Sequence, residues 1–169
     1  GKGTYVTYPR TGFQQQLSVI RNLSVRTIKV LSEEIMEIGH KPSSKVISTN
    51  TETANEKVAG KLLLPPFNRK IHKILRVRLA DNEPIILEKT YISFHLCPII
   101  GKEELENGSL YRILIDKLHL PLDHANITYQ AVLVGKDASK HLKCPIGSPA
   151  IFIERLTFLK NGIPIELSL

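Results

Sequence analysis

The 169-residue sequence is poor in cysteine and has no long apolar run. Its two cysteines, Cys97 and Cys144, lie far apart, and each precedes a proline. They form no C-x-x-C and no metal-ligand spacing, which excludes a disulfide framework and a zinc knuckle and leaves two reduced thiols of a cytoplasmic protein as the expectation. No segment approaches the roughly eighteen apolar residues of a membrane span. The opening Gly1-Lys2-Gly3-Thr4-Tyr5-Val6 lacks the apolar centre of a secretory leader. The Walker-type loop, G-x-G-x-x-G, G-x-S-x-G, H-E-x-x-H and an Asp-rich calcium loop are all missing. Six histidines are scattered singly, and His95 and Cys97 are too close together to form a metal pair. No metal, cofactor or catalytic set is therefore expected.

What is present is a moderately apolar (42%), basic chain of net charge +7, long enough for one domain with a full core. The positive residues are spread along the chain and several alternate with glutamate, so no dense basic cluster marks a nucleic-acid footprint.

The most informative stretch runs from Lys73 to Ile92 and predicts a β-hairpin. Leu75, Val77 and Leu79 alternate with Arg76 and Arg78, and Asp81-Asn82-Glu83-Pro84 is a polar turn. Two arginines two residues apart on one strand can grip one anion, and Glu88 on the returning strand can accept hydrogen bonds from a hydroxylated ligand. The same charges also suit the solvent face of a half-buried hairpin. A two-residue loop would set Arg76 opposite Lys89, and a three-residue loop would set Arg78 opposite Glu88.

Before the hairpin, residues 7–28 have poor periodicity and read as a linker or loosely packed arm. Ser32 to Gly39 reads as a short helix, with Ser32 as N-cap, acidic residues in its first turn and Gly39 at the left-handed C-terminal position. A plain capping role for Ser32 and a ligand role at the helix start both remain open. Pro42-Ser43-Ser44 breaks the chain, Lys45 to Thr53 is a strand, and Asn55 to Leu64 is helical. After the hairpin, Ser109 can cap a helix from Leu110 to about His119. Tyr111 lies beside the apolar face of that helix, where simple packing would suffice. His124 to Val134 is a strand, and Asp137 caps a short helix. Ala150 to Leu159 and Ile163 to Leu169 form a second hairpin about Asn161-Gly162, which places Thr157 opposite Glu166. Two hairpins with short crossings predict an α+β domain, an antiparallel sheet with helices on one face.

Taken in order, several stretches resemble a known family. Gly1 to Val6 is similar to the end of the β-wing in GntR-type winged-helix repressors. Leu31-Ser32-Glu33-Glu34, Gly39 to Ser44, Arg76 to Asp81, Pro84-Ile85, Glu88 to Ile92, Ser109-Leu110-Tyr111 and Gly162 to Glu166 resemble the UTRA effector-binding domain of the HutC subfamily. The resemblance divides the chain into a wing remnant (1–6), a linker (7–28) and a UTRA domain (29–169) whose last strand is cut short. It implies a chorismate-lyase-like α+β fold, a homodimer, and a cytoplasmic transcriptional regulator, a repressor, that binds operator DNA through an N-terminal winged helix. A small effector, with a sugar phosphate favoured, would shift that binding. By this resemblance Ser32, Arg76 and Arg78 hold the phosphate, and Glu88, Ser109, Tyr111 and Glu166 surround the sugar.

The chain departs from the family pattern at three places. The helices of the winged domain are not among these residues, so this chain alone is expected to bind DNA weakly or not at all. The aromatic and basic segment usual beyond Glu166 is not found after Leu169, and the linker is longer than usual. Three rivals stand beside this reading: a lyase of the same fold acting on a chorismate-like substrate, a ligand-free dimerisation domain, and a nucleic-acid-binding module.

Overall fold

The computed structural model describes the backbone of residues 21–25 and, in full, residues 31–98, 100, 105–106 and 109–169. The expected wing remnant and most of the linker lie outside them. The described chain folds as one seven-stranded sheet in which every pairing is antiparallel. In chain order the elements are β1 (Arg21–Val25), α1 (Leu31–Glu37), β2 (Pro42–Thr53), α2 (Glu56–Lys61), β3 (Lys70–Ala80) and β4 (Glu83–Ser93). Helix α3 follows, an α-helical turn (Leu110–Arg112) that continues as a π-helical turn (Ile113–Lys117). The remainder is β5 (Leu122–Leu133), α4 (Lys136–Leu142), β6 (Pro149–Leu159) and β7 (Pro164–Ser168). Across the sheet the order is β1-β5-β6-β7-β4-β3-β2.

Both hairpins form where the turn residues predict them, with registers set by bulges. At the first tip Asp81 and Asn82 sit at φ 51° and 68°, a two-residue turn of the type that Asp and Asn tolerate. Ala80 then pairs with Glu83 and Leu79 with Pro84, but Arg78 pairs with Ile86, so Ile85 is skipped. Arg76 consequently faces Glu88, a register that neither simple loop length gives. At the second tip the turn has three residues rather than two. Gly162 N donates to Leu159 O at 2.9 Å and Gly162 takes φ +81°, the left-handed position that closes this kind of loop. Phe158 pairs with Pro164, Ile165 is skipped, and Thr157 faces Glu166 as expected. In both hairpins the skipped isoleucine follows a proline, whose missing N–H interrupts the ladder.

Several local expectations change. Arg21–Val25, placed in a linker, is an edge strand whose Arg21 pairs with Tyr129 and whose Val25 pairs with Ala125. It satisfies backbone groups that the outer edge of β5 would otherwise leave open. Pro42-Ser43-Ser44 is the beginning of β2 rather than a break, because a proline is tolerated at the first residue of an edge strand. Helix α1 begins at Leu31, which puts Ser32 inside its first turn rather than at the cap, and the Ser32 hydroxyl is engaged by Arg78. Gly135, not Asp137, stands at the cap of α4, and Asp137 lies in the first turn, where the helix dipole favours it.

The helices cover both faces of the sheet, not one. Leu110, Ile113 and Leu114 of α3 pack with Ile74, Ile92, Val46, Leu159, Ile165, Cys97 and Leu105. On the opposite face Val58, Ala59 and Leu62 pack over Ile71 and Leu167. The second layer is required because Ile71, Leu167 and Leu156 point away from α3 and need cover of their own. Asn55 starts α2 by accepting a hydrogen bond from Val58 N at 2.9 Å. Burial pushes the Cys97 thiol up to about 12, so it behaves as a small apolar side chain. No helix among the described residues is long and apolar enough to cross a membrane.

Leu114 is fully buried, whereas Leu133 is 72% exposed. Leu114→Ala is expected to cost about 2–5 kcal/mol, and Leu133→Ala to stay within about 0.5 kcal/mol. Urea unfolding midpoints at constant slope check both.

Candidate functional site

The hairpin register decides which way the charges face. Arg76 and Arg78, whose alternation also fitted a solvent face, are only 1% and 4% exposed. They share a sheet face with Ile74, Glu88, Thr90, Ile92, Glu166, Ser168, Arg155 and Thr157, the face that α3 covers. The sheet therefore buries a polar strip alongside its apolar core.

That strip is almost closed upon itself. Arg76 donates from Nε and Nη2 to Glu88 Oε2 at 3.1 and 2.5 Å. Glu166, fully buried, accepts from Tyr111 Oη (2.8 Å) and Thr157 Oγ1 (2.6 Å) on one oxygen, and from Ser168 Oγ (2.6 Å) on the other. Thr90 Oγ1 stands 3.0 Å from Ser168 Oγ and donates to it, since the Ser168 proton is given to Glu166. Arg155 approaches Glu166 at 3.8 Å and lies over the Tyr111 ring at 4.6 Å. Burial and the Glu166 charge push the Tyr111 phenol well above its usual range, so it remains a neutral donor. Burial is the largest single influence and works against the Arg155 charge, but the fields of Glu166, Tyr111, Glu88 and Glu34 together outweigh it and raise the guanidinium value.

Arg78 is the exception. Its one hydrogen-bond partner among the described residues is Ser32 Oγ, 2.6 Å from Nη2; its buried Nε has none, as Arg76 Nη1 and Arg155 Nε have none, but those two arginines each have a carboxylate. No described carboxylate lies within ion-pair distance of it. Burial, then the neighbouring Arg76, lower its pKa. Arg78 lines a cavity of about 370 Å³ with Ser32, Glu33 and Met36 of α1, Ser43 and Ser44 of β2, Glu106, Ser109 and Arg112. Ser109 stands at the cap of α3 without a side-chain capping bond. At the mouth Arg112 joins Glu33 at 2.8 Å and Asp116 at 3.5 Å.

The residues singled out from the sequence thus divide into two groups. Ser32, Arg78 and Ser109 line the cavity, while Arg76, Glu88, Tyr111 and Glu166 form the buried network beneath it. Sequence reasoning missed Ser43, Ser44, Glu33 and Arg112 in the wall, and Arg155, Thr90 and Ser168 in the network. The serines were hidden by the reading of Pro42 as a break. Arg155 and Thr157 carried a usable signal, a two-residue alternation opposite Glu166. Among the described residues no cluster of metal-ligating side chains occurs.

Burial opposes ionisation of Glu88, but the fields of Arg76, Arg78 and Arg155 and the Arg76 hydrogen bonds together outweigh it and hold the carboxyl below the ordinary glutamate value. A lowered folded value means that ionised Glu88 stabilises the fold fully above the ordinary carboxylate range. This contribution is lost as pH falls through the lowered value. Stability is expected to fall on acidification below about pH 4.5, and Glu88→Gln to lower it at pH 7 while flattening the acid limb. Urea midpoints from neutral to acid pH measure both.

Comparison with known proteins places this architecture. The UTRA domain family matches residues 37–169. Among curated relatives, the HTH-type transcriptional regulator GmuR of Bacillus subtilis is 30% identical over 83% of this chain and 61% of its own length. The HTH-type transcriptional repressor NagR of the same organism is 26% identical over 98% of this chain and 63% of its own. The chain thus spans rather more than three fifths of the length of these relatives. A GntR-family transcriptional regulator from Enterococcus faecalis superimposes with a TM-score of 0.68 at 28% identity, covering 75% of this chain and 89% of that one. The effector domain of PhnF from Mycobacterium smegmatis does so at 0.72 and 19% identity, covering 82% and 84%, and shares the fold. With the family's match running over most of its length, the chain belongs to the UTRA domain family.

Proposed function

We propose that this chain is the effector-sensing domain of a GntR-type transcriptional repressor of the HutC subfamily, and that it binds a small anionic metabolite, with a sugar phosphate favoured. The observation that carries the proposal is Arg78, a buried guanidinium without a carboxylate partner at the wall of a polar cavity. An uncompensated buried charge is costly unless something supplies the opposite sign, and an anion bound beside Ser32 and Ser109 does so. The relatives support the repressor role: they include the transcriptional repressor NagR and a probable fructoselysine utilization operon transcriptional repressor from Escherichia coli. In this reading residues 1–6 belong to a winged-helix wing, and the stretch from residue 7 up to the edge strand Arg21–Val25 joins it to the domain. Operator DNA is contacted through that wing's domain, the protein is a cytoplasmic homodimer, and no bond of the effector is made or broken. Arg76, Glu88, Tyr111 and Glu166, which do not line the cavity, act as the buried polar layer of the same sheet face, and Ser109 is the sugar contact in the cavity wall.

Thermal unfolding with sugar phosphates beside their unphosphorylated sugars tests the reading. A ligand at about 100 times its Kd adds roughly 2.7 kcal/mol, on the order of 5–10 °C for a domain of this size. The shift is expected with phosphorylated compounds only. A panel flat for phosphates, carboxylates and fatty acids would sink the proposal.

The two arginines should respond differently to truncation. Arg78→Ala is expected to abolish the ligand-dependent shift while leaving the unliganded melting temperature unchanged or higher, because it removes an uncompensated charge. Arg76→Ala leaves Glu88, 12% exposed, without its partner. It is expected to cost about 3–5 kcal/mol. Melting curves of both variants with and without ligand separate the roles.

A further inference from the structure

Helix α1 supplies Ser32, Glu33 and Met36 to the cavity, and the start of β2 supplies Ser43 and Ser44. Both walls spring from one short joint, residues 38–41. At seven residues α1 is too short to hold itself, and Ile35 is its one buried side chain. Two of its polar contacts, Ser32 to Arg78 and Glu33 to Arg112, lie in the cavity wall, where a ligand would compete for them. The joint, by contrast, is anchored from outside the cavity. Gly39 takes φ +87° and His40 N donates to Ile35 O at 3.1 Å, which ends α1 in a tight reversal. Asp81, at the tip of the β3–β4 hairpin, grips the two residues that follow. Its Oδ2 lies 2.6 Å from His40 Nδ1, its Oδ1 accepts from Lys41 N at 2.8 Å, and its own N donates to Lys41 O at 3.0 Å. The carboxylate takes up the last amide before Pro42, which has none to give to the ladder where it faces Ala80.

The turn alone does not ask for this. A left-handed position at φ 51° suits Asn or Gly as well as Asp. An exposed carboxylate beside an exposed histidine adds little to overall stability. What the carboxylate adds is placement, because it stands three residues beyond Arg78 on the same chain and holds the joint between the two walls. We propose that Asp81 is a positioning residue of the cavity, fixing α1 and the start of β2 at their distance from Arg78. The proposal rests on the reading of this cavity as the effector site. With the joint free, the chain spends part of its time with Ser32, Ser43 and Ser44 out of reach of the ligand, and the apparent affinity falls by that fraction.

Three variants of the 169-residue chain test this. Asp81→Gly keeps the turn conformation and removes the carboxylate. Asn82→Gly, at φ 68° in the same turn, adds the same chain freedom and leaves the Asp81 bonds in place. Asp81→Asn retains an acceptor for Lys41 N and a donor to neutral His40 Nδ1. Hydrogen–deuterium exchange without ligand reads the joint directly. Asp81→Gly should speed exchange across residues 31–44, while the other two variants match the unsubstituted chain there. Isothermal titration with inorganic phosphate and with glucose 6-phosphate reads the consequence. Kd should rise roughly three- to ten-fold for Asp81→Gly alone, the inverse of walls in place one-third to one-tenth of the time. The urea midpoints of the two glycine variants should coincide. Exchange unchanged by Asp81→Gly, an unchanged Kd, or equal effects of the two glycine substitutions overturns the role of Asp81 and leaves the anion site standing. If neither ligand binds the unsubstituted chain, that result counts against the anion reading instead, and the exchange comparison alone decides for or against Asp81 as the anchor of the joint.

Discussion

The structure depends on an odd number of charges buried on one face of a sheet. Arg76 and Glu88 cancel, and Arg155 and Glu166 lie close enough to offset one another, but Arg78 has no such partner. Around this imbalance the rest is arranged to make burial tolerable. Glu166 is held by three hydroxyls, Tyr111 is kept neutral, and the Arg155 guanidinium rests on an aromatic ring. A densely hydrogen-bonded network of this kind fixes its members in one geometry, with Arg76 Nη1 and Arg155 Nε the atoms it leaves without a partner. The residual demand for a counter-charge is then concentrated at one guanidinium beside a cavity instead of being spread over the surface.

The elements themselves were largely legible. The turn residues Asp81-Asn82 and Asn161-Gly162 marked both hairpins, Asn55 marked the start of α2, and Gly39 took the left-handed position expected of it. The orientation of the charged face was not legible. Period-two alternation says that Arg76 and Leu75 point opposite ways, but it does not say which side is covered. Leu75, Val77 and Leu79 looked sufficient as the buried side, and the layer formed by α3 over the other face depends on contacts more than thirty residues distant in sequence. Ser32 illustrates the same limit. Its type suited a cap, and only the approach of Arg78 from β3 determines what its hydroxyl does. The strand at Arg21–Val25 was invisible because its pairing satisfies the backbone of β5 and needs no pattern of its own.

The π-helical turn in α3 belongs to the same economy of space. The α-helical turn Leu110–Arg112 places Tyr111 inward and Arg112 at the cavity, and Asp116 meets Arg112 at the i, i+4 spacing that a regular α-helix also gives. A π turn inserts one residue into the α-helical progression, and such insertions recur where a helix must present side chains in directions that a regular spiral would not combine.

The two bulges act as phase correctors. Skipping Ile85 and Ile165 decouples the tip of each hairpin from the polarity of its stem, so the inward set Arg76, Glu88, Thr157 and Glu166 keeps its facing even though one tip has two residues and the other three. A sequence that gains or loses one residue at either tip can retain an unaltered interior by opening or closing a bulge beside the proline. Tip length in this architecture is therefore separable from stem parity, so the hairpin ends can differ in length while the interior keeps its facing.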